Sequence, residues 1–290
     1  GKYETRNLGV FLLHETDGAV QRVEIYNLDR AREYSGYPVY WLGRGANEES
    51  LALLESFITG NQDSAVAARR TEHAVMALAL HDDPRVAGRL KTIAQQTTMA
   101  DKARSTAVFW LGQVGGETPF LSDLVRNEGE KTELRKQAAF AIGVGKDKAA
   151  LTTLRTLYAG VTPRELKRQI IFAASINEAM DDAVTFLIDV SQKDSDQELR
   201  KQAIFWLGQK AGQRSLQVLG DTIDSNDAST EVQKQAVFAL SRRPHDEAIP
   251  ALIRVARTHQ KAEVRKQAMF WLGQSGDPRA IDLFREILTR

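Results

Sequence analysis

From about residue 34 onward the apolar residues recur at helical spacing, in segments of about a dozen residues separated by short polar links. The last two segments are the clearest. Glu263–Ser275 places Val264, Ala268, Trp271 and Leu272 on one stripe and ends near Gly276. Asp277-Pro278 then restarts the chain, with Asp as N-cap and Pro at the first helical position. A second helix follows over Ala280–Leu288, with Ile281, Phe284, Ile287 and Leu288 on one face. Thr162-Pro163-Arg164-Glu165 reads as another helix start, a capping box with Pro at its first position. Residues 1–33 have a different pattern. Leu8–Leu13 and Val20–Tyr26 are β-prone runs around an Asp17-Gly18 turn, which predicts a β-hairpin. A lone hairpin is marginal in water, so this one needs the helices, or a sheet from a preceding segment, as support.

The helical pattern repeats. Phe-Trp-Leu-Gly-Gln stands at Phe109–Gln113, Phe205–Gln209 and Phe270–Gln274. Weaker copies begin at Phe140, Phe172 and Phe238, and degenerate ones at Tyr40 and Met76. Successive spacings are 36, 33, 31, 32, 33, 33 and 32 residues. One helical hairpin cannot bury its own apolar face, so hairpins at a fixed period must stack on one another. The expected fold is all-α: a right-handed α-solenoid of about eight helical hairpins over 34–290, with a β-hairpin cap over 1–33. In the first copy Gly36 and Pro38 interrupt the motif, which predicts a short first helix.

Val264-Arg265-Lys266-Gln267-Ala268-Met269-Phe270-Trp271-Leu272-Gly273, followed by Gly276-Asp277-Pro278-Arg279-Ala280, resembles the HEAT-like repeat first noted in phycobilisome lyases. The resemblance covers about residues 34–290. It implies that the helix carrying Val-Arg lines a concave surface and that the helix after Gly-Asp-Pro lies on the convex one. It says little of function, because such solenoids serve as lyase subunits, scaffolds and adaptors. Trp41, Trp110, Trp206 and Trp271 stand where that repeat usually has Ala, and the link Gly212-Gln213-Arg214 lacks the acidic cap.

Phe270 falls about 145° from the centre of the buried stripe, so its column should face away from the hairpin core. That column holds Phe109, Phe140, Phe172, Phe205, Phe238 and Phe270, six of the eleven Phe in the chain. Four residues earlier stand Lys136, Arg168, Lys201, Lys234 and Lys266, and next to them Gln137, Gln169, Gln202, Gln235 and Gln267. An outward apolar row is costly in water and often marks a binding surface. The expectation is a partner-binding groove in which Phe supplies apolar contact, Lys attracts negative charge and Gln bonds to peptide groups. The competing reading is a structural ladder of rings stacked from repeat to repeat. The Trp residues fall within the core stripe, the Gly column reads as helix ending and close packing, and Arg104, Arg135, Arg200 and Arg265 read as bonds to neighbouring loops or helix ends.

Charge and chemistry narrow the function. Net charge is +1 with 27% charged residues, which disfavours nucleic acid as partner. Cysteine is absent, which excludes disulfides, thiolate metal sites and thiol catalysis. His14, His73, His81, His245 and His259 share no repeat column or ligand-like spacing. His14-Glu15 is the single His-Glu pair, unlike the repeated pairs of the di-iron HEAT hydroxylases. No phosphate loop or nucleophile elbow is present, and Asp82-Asp83 and Asp181-Asp182 read as helix caps. The expectation is a scaffold or adaptor for a protein or peptide, with no catalytic residues, cofactor or metal. A chromophore-lyase-like subunit and a DNA-glycosylase-like nucleic-acid binder are the alternatives. Gly1-Lys2 reads as a cut end, and a secretory leader, implying a periplasmic location, is one candidate for the missing piece. No apolar run approaches the length needed to cross a bilayer.

Overall fold

The structure is a computed structural model that describes residues 7–34, 36–58 and 64–289. Two antiparallel strands open it, β1 (Leu8–His14) and β2 (Val20–Asn27). Fifteen helices follow among the described residues. The first is α1 (Asn47–Ser56), and the other fourteen form seven pairs: α2 (Ala65–Ala79) with α3 (Arg85–Gln95), α4 (Asp101–Val114) with α5 (Thr118–Arg126), α6 (Thr132–Val144) with α7 (Ala150–Gly160), α8 (Arg164–Ile176) with α9 (Met180–Lys193), α10 (Gln197–Gly208) with α11 (Gln213–Asp224), α12 (Thr230–Ser241) with α13 (His245–Thr258), and α14 (Ala262–Ser275) with α15 (Pro278–Leu288). The architecture is an all-α solenoid with a short N-terminal hairpin. It divides into two compact units, Gly1–Asp147 and Lys148–Arg290.

The even-numbered helix of each pair, here the A helix, carries the repeated motif. Within each unit A helices pack directly on one another, α2 on α4 and α4 on α6, then α8 on α10, α10 on α12 and α12 on α14. Glycine makes this approach possible. A Cβ at Gly208 of α10 would lie 2.8 Å from both the Cβ and the carbonyl oxygen of Ala239 on α12. At Gly112 of α4 it would strike the Ala141 carbonyl of α6. The motif leucines Leu111 and Leu207 are buried beside these contacts, and Leu272 is buried at the same position of α14.

A second recurrent bond ties α4, α6, α10 and α12 each to the helix before it. The last carbonyls of a helix have no partner of their own. Arg104 Nε donates to Ala94 O at 2.8 Å, Arg135 Nε to Val125 O at 2.8 Å and Arg200 Nε to Ser191 O at 3.0 Å. In α12 the position is Gln233, whose Nε2 donates to Ile223 O and Ser225 O. Arg265 reaches the link instead, at His259 O and Gln260 O. Arg104 is buried and also binds the Glu130 carboxylate, which holds Glu130 below its usual pKa.

Three local expectations are corrected. The first repeat has no A helix: no helix lies among the described residues between β2 and α1. Gly36 and Gly43 adopt positive φ (79° and 88°), and Pro38 lacks a helical donor, so the motif at Tyr40–Gly43 cannot continue a helical turn. The β-hairpin takes the corresponding position beside α2. Val23 is buried there, and His73 Nδ1 and Arg70 Nη1 of α2 donate to Val23 O (2.7 Å) and Val20 O (2.8 Å). At the start of α8, Pro163 is itself the N-cap and makes no side-chain capping bond, so the capping box on Thr162 does not form. The Asp277 cap does form, with its carboxylate accepting from Arg279 N, and Gly276 ends α14 in the left-handed conformation.

Gly208→Ala should destabilise the chain by about 1–3 kcal/mol, the usual cost of overpacking. Gly273→Ala, whose Cβ would meet nothing nearer than Phe284 at 4.0 Å, should be neutral or slightly stabilising through helix propensity. Urea denaturation of the two variants checks the contrast.

Arg104→Met should cost about 3 kcal/mol, because it leaves the Glu130 carboxylate without its counter-ion in a poorly hydrated position. The pH dependence has a definite sign. Glu130 titrates lower in the folded chain than its ordinary value of 4.5, so its contribution is complete above that value and fades as pH falls through the depressed one. Stability measured from pH 7 downward should show this loss in the parent chain, and Arg104→Met should flatten it.

Candidate functional site

The A helices bring the Phe column together within each unit, and its rings form ladders. In the N-terminal unit Phe109 and Phe140 stack at 6.3 Å with planes 19° apart, and Trp110 meets Phe109 edge-on at 5.6 Å. The C-terminal unit holds a longer series. Phe172 lies 5.2 Å from Trp206, which meets Phe205 edge-on at 4.9 Å. Phe205 stacks on Phe238 at 6.3 Å, and Phe238 lies 5.1 Å from Trp271, which meets Phe270 edge-on at 4.9 Å. Six rings from four A helices are thus linked in one series, at separations and tilts that suit aromatic quadrupoles.

The rings are neither sealed nor free. Phe109, Phe140, Phe172, Phe205 and Phe238 are half-buried, and Phe270, with no further A helix packed on it among the described residues, is 54% exposed. Stacking with neighbouring rings covers one side of the column and leaves the other to solvent. The tryptophans depart from the expected core position. Trp110, Trp206 and Trp271 are half-buried, each wedged toward the Phe column. The indole Nε1 atoms of Trp206 and Trp271 are buried without an acceptor among the described residues. Trp41, in the repeat lacking its A helix, is 67% exposed. An aromatic directly after Phe is the sequence signal that Trp belongs to the ladder: adjacent residues on a helix lie about 100° apart, so a large ring can reach both the stripe and its flank.

The charged column is not a free positive stripe. Lys136, Lys201, Lys234 and Lys266 each bond to the glutamate one turn earlier, Glu133 (2.9 Å), Glu198 (2.9 Å), Glu231 (3.1 Å) and Glu263 (3.3 Å). The four glutamates are exposed, so these are solvent-facing pairs that cancel charge more than they stabilise. Their i, i+3 spacing is visible in the sequence. Arg168 differs: its Nε donates to Gln202 Oε1 at 2.8 Å, and Gln202 Nε2 donates to Arg168 O at 3.3 Å, bridging α8 and α10. Gln137, Gln169, Gln235 and Gln267 are half-buried beside the rings.

Elsewhere the titratable groups serve packing. Tyr158 donates to Asp194 Oδ2 at 2.6 Å, tying α7 to the end of α9, and burial raises its phenol well above the usual range. His259 Nε2 donates to Ile223 O. Lys210 is buried with its Nζ 3.5 Å from Met180 Sδ, and burial lowers its pKa. Among the described residues no group of three or more His, Asp or Glu side chains is placed to hold a metal ion. No helix there is long and apolar enough to cross a membrane.

Comparison with known proteins agrees with the repeat. The family model for HEAT repeats matches residues 222–290, and no curated protein matches the sequence. Solved structures with a similar course of chain include human deoxyhypusine hydroxylase in complex with glycerol (16% identity, 83% of this chain and 89% of that one, TM-score 0.39). They include the CpcE–CpcF complex of phycocyanin lyase from Nostoc sp. PCC7120 (16% identity, 88% and 98%, TM-score 0.39) and the YIBA protein of E. coli (19% identity, 79% and 82%, TM-score 0.40). The match places HEAT repeats over residues 222–290, and helices paired in the same way precede them in the chain. The expectation that it has no enzymatic activity is corrected by these likenesses. A hydroxylase and a lyase are among the proteins it resembles, so the architecture gives no ground for excluding catalysis.

Proposed function

We propose that this repeat scaffold works by docking a protein partner on the A-helix face of its C-terminal unit, through the exposed side of the aromatic ladder. One observation carries the reading. Phe172, Phe205, Phe238 and Phe270 are fixed by ring-to-ring contact on one side and remain accessible on the other. Rings already held in place lose little freedom on binding, which is what a good apolar anchor requires. Gln235 and Gln267 lie beside them as donors and acceptors for peptide groups. The ladder is therefore both structural support and contact surface. The partner is an apolar or aromatic segment of a protein rather than a polyanion, since the neighbouring lysines already carry carboxylate partners.

The test uses a partner captured from the native source and then purified. Phe205→Leu with Phe238→Leu keeps apolar bulk and removes the rings. Affinity should fall about tenfold or more, on the scale of lost aromatic anchors, while the melting temperature stays within a few degrees of the parent. Unchanged affinity in a folded variant would remove the ladder from the interface.

Salt gives an independent check. Because each ladder lysine is already paired, binding should weaken only slightly between about 50 and 200 mM salt. A polyanion engaging four phosphates would instead show a slope of log affinity against log salt of about −3.6. Titration at three salt concentrations decides between them.

A further inference from the structure

The β-hairpin has one closed edge and one open edge. The Leu28 N–H bonds to Asn7 O at 2.8 Å, one step beyond the Leu8–Asn27 pair. Hydrogen-bonded and non-hydrogen-bonded pairs alternate in antiparallel sheets. The main-chain groups of Gly9, Phe11 and Leu13 therefore face β2, and those of Leu8, Val10 and Leu12 face away. On the far edge of β2 two carbonyls are covered, since Val23 O and Val20 O accept from His73 and Arg70 of α2. On the edge of β1 the main chain of Leu8, Val10 and Leu12 has no partner among the described residues outside the hairpin.

Edge strands are normally protected by charge, proline or a covering element. β1 has none of these among the described residues. Its sequence, Leu-Gly-Val-Phe-Leu-Leu-His, holds no Asp, Glu, Lys, Arg or Pro, whereas β2 carries Arg22 and Glu24. Leu8 and Val10 are 37% and 41% exposed, and they share a sheet face with the buried Val23. The open main-chain groups and the exposed apolar side chains therefore lie on the same strand.

We propose that β1 is a self-association edge: two copies of this chain pair antiparallel through β1 to make a four-stranded sheet about a two-fold axis at Val10. The direction of the free groups sets the register. Only Leu8, Val10 and Leu12 offer outward donors and acceptors, so Val10 pairs with Val10 of the second copy and Leu8 with its Leu12, giving about six new main-chain hydrogen bonds. In this register no charged residues meet across the seam, and Phe11 lies opposite Gly9 of the second copy, so the two rings do not collide. A self-complementary uncharged strand suits an isologous two-fold contact. The same pairing covers Leu8 and Val10.

Sedimentation velocity on the full chain, from about 1 to 200 μM, tests the proposal. A reversible monomer–dimer equilibrium is expected. Val10→Pro removes an outward N–H that β2 does not use, and edge strands tolerate this. It should weaken dimerisation by about tenfold or more while the far-UV spectrum and melting transition persist. Val10→Lys and Val10→Glu should each be monomeric alone, because like charges would meet on the axis. Mixed in equal amounts they should restore a dimer containing one copy of each. A chain that stays monomeric across the range overturns the proposal. So does a dimer indifferent to Val10→Pro, or a charge pair that fails to recombine. Val10→Lys also reports on folding: a folded monomer supports the proposal, and loss of its melting transition would leave Val10→Pro to decide.

Discussion

Two A helices can lie this close only where one of them has no side chain. Gly112 on Ala141 and Gly208 on Ala239 set that distance between α4 and α6 and between α10 and α12. The short separation brings the Phe of one helix within stacking range of the next, so 6.3 Å recurs between Phe109 and Phe140 and between Phe205 and Phe238. The arginine bonds do not depend on it: α8 carries Ser175 in the Gly column, and Arg200 of the next A helix still reaches Ser191 O at 3.0 Å. A larger residue at Gly112 or Gly208 would separate the two stacked Phe pairs.

The ladder is best understood as a compromise between cohesion and recognition. An aromatic row fully exposed to water would be an aggregation liability, and one fully sealed would recognise nothing. Trp110, Trp206 and Trp271 meet Phe109, Phe205 and Phe270 edge-on, each covering one flank of its ring. The cost is visible at Trp206 and Trp271, whose buried indole N–H groups lack acceptors, an arrangement that usually loses about 1–3 kcal/mol per group. The Lys–Glu pairs complete the arrangement. They keep the surface wet and near neutral beside the rings, and on the docking reading proposed above this favours a neutral polypeptide over nucleic acid.

Much of this architecture is legible in the residues alone. The period, the helix pairs, the hairpin, the glycine contacts and the arginine bonds all follow from residues that recur at fixed spacing, because one packing problem is solved the same way in each repeat. Legibility fails where a residue leaves the repeat. At Tyr40–Gly43 the motif is present, yet Leu42 is 93% exposed where its counterparts Leu111 and Leu207 are buried. A motif names what a helix would bury, but Gly36, Pro38 and Gly43 deny it the helix. The tryptophans depart from the core stripe for a related reason: a helical wheel assigns an angle to the Cβ, and an indole is large enough to leave that direction. The lysine column is a different case, because Glu133, Glu198, Glu231 and Glu263 each stand three residues before their lysine, and a column judged by its own charge alone hides the neutralising partner.

The first repeat is built differently from the others. It has no A helix among the described residues, so the flank of α2 needs a different kind of cover. The hairpin supplies it by turning the outer edge of β2 onto α2, where Arg70 and His73 satisfy its carbonyls. A two-stranded sheet, however, has two edges, and closing one by this means leaves the other uncovered by the described residues. Replacing a helix, whose main-chain bonds are internal, by a two-stranded sheet therefore exchanges an apolar end for a hydrogen-bonding one. Capping the helical stack and exposing the main chain of Leu8, Val10 and Leu12 are, on this argument, the same structural event.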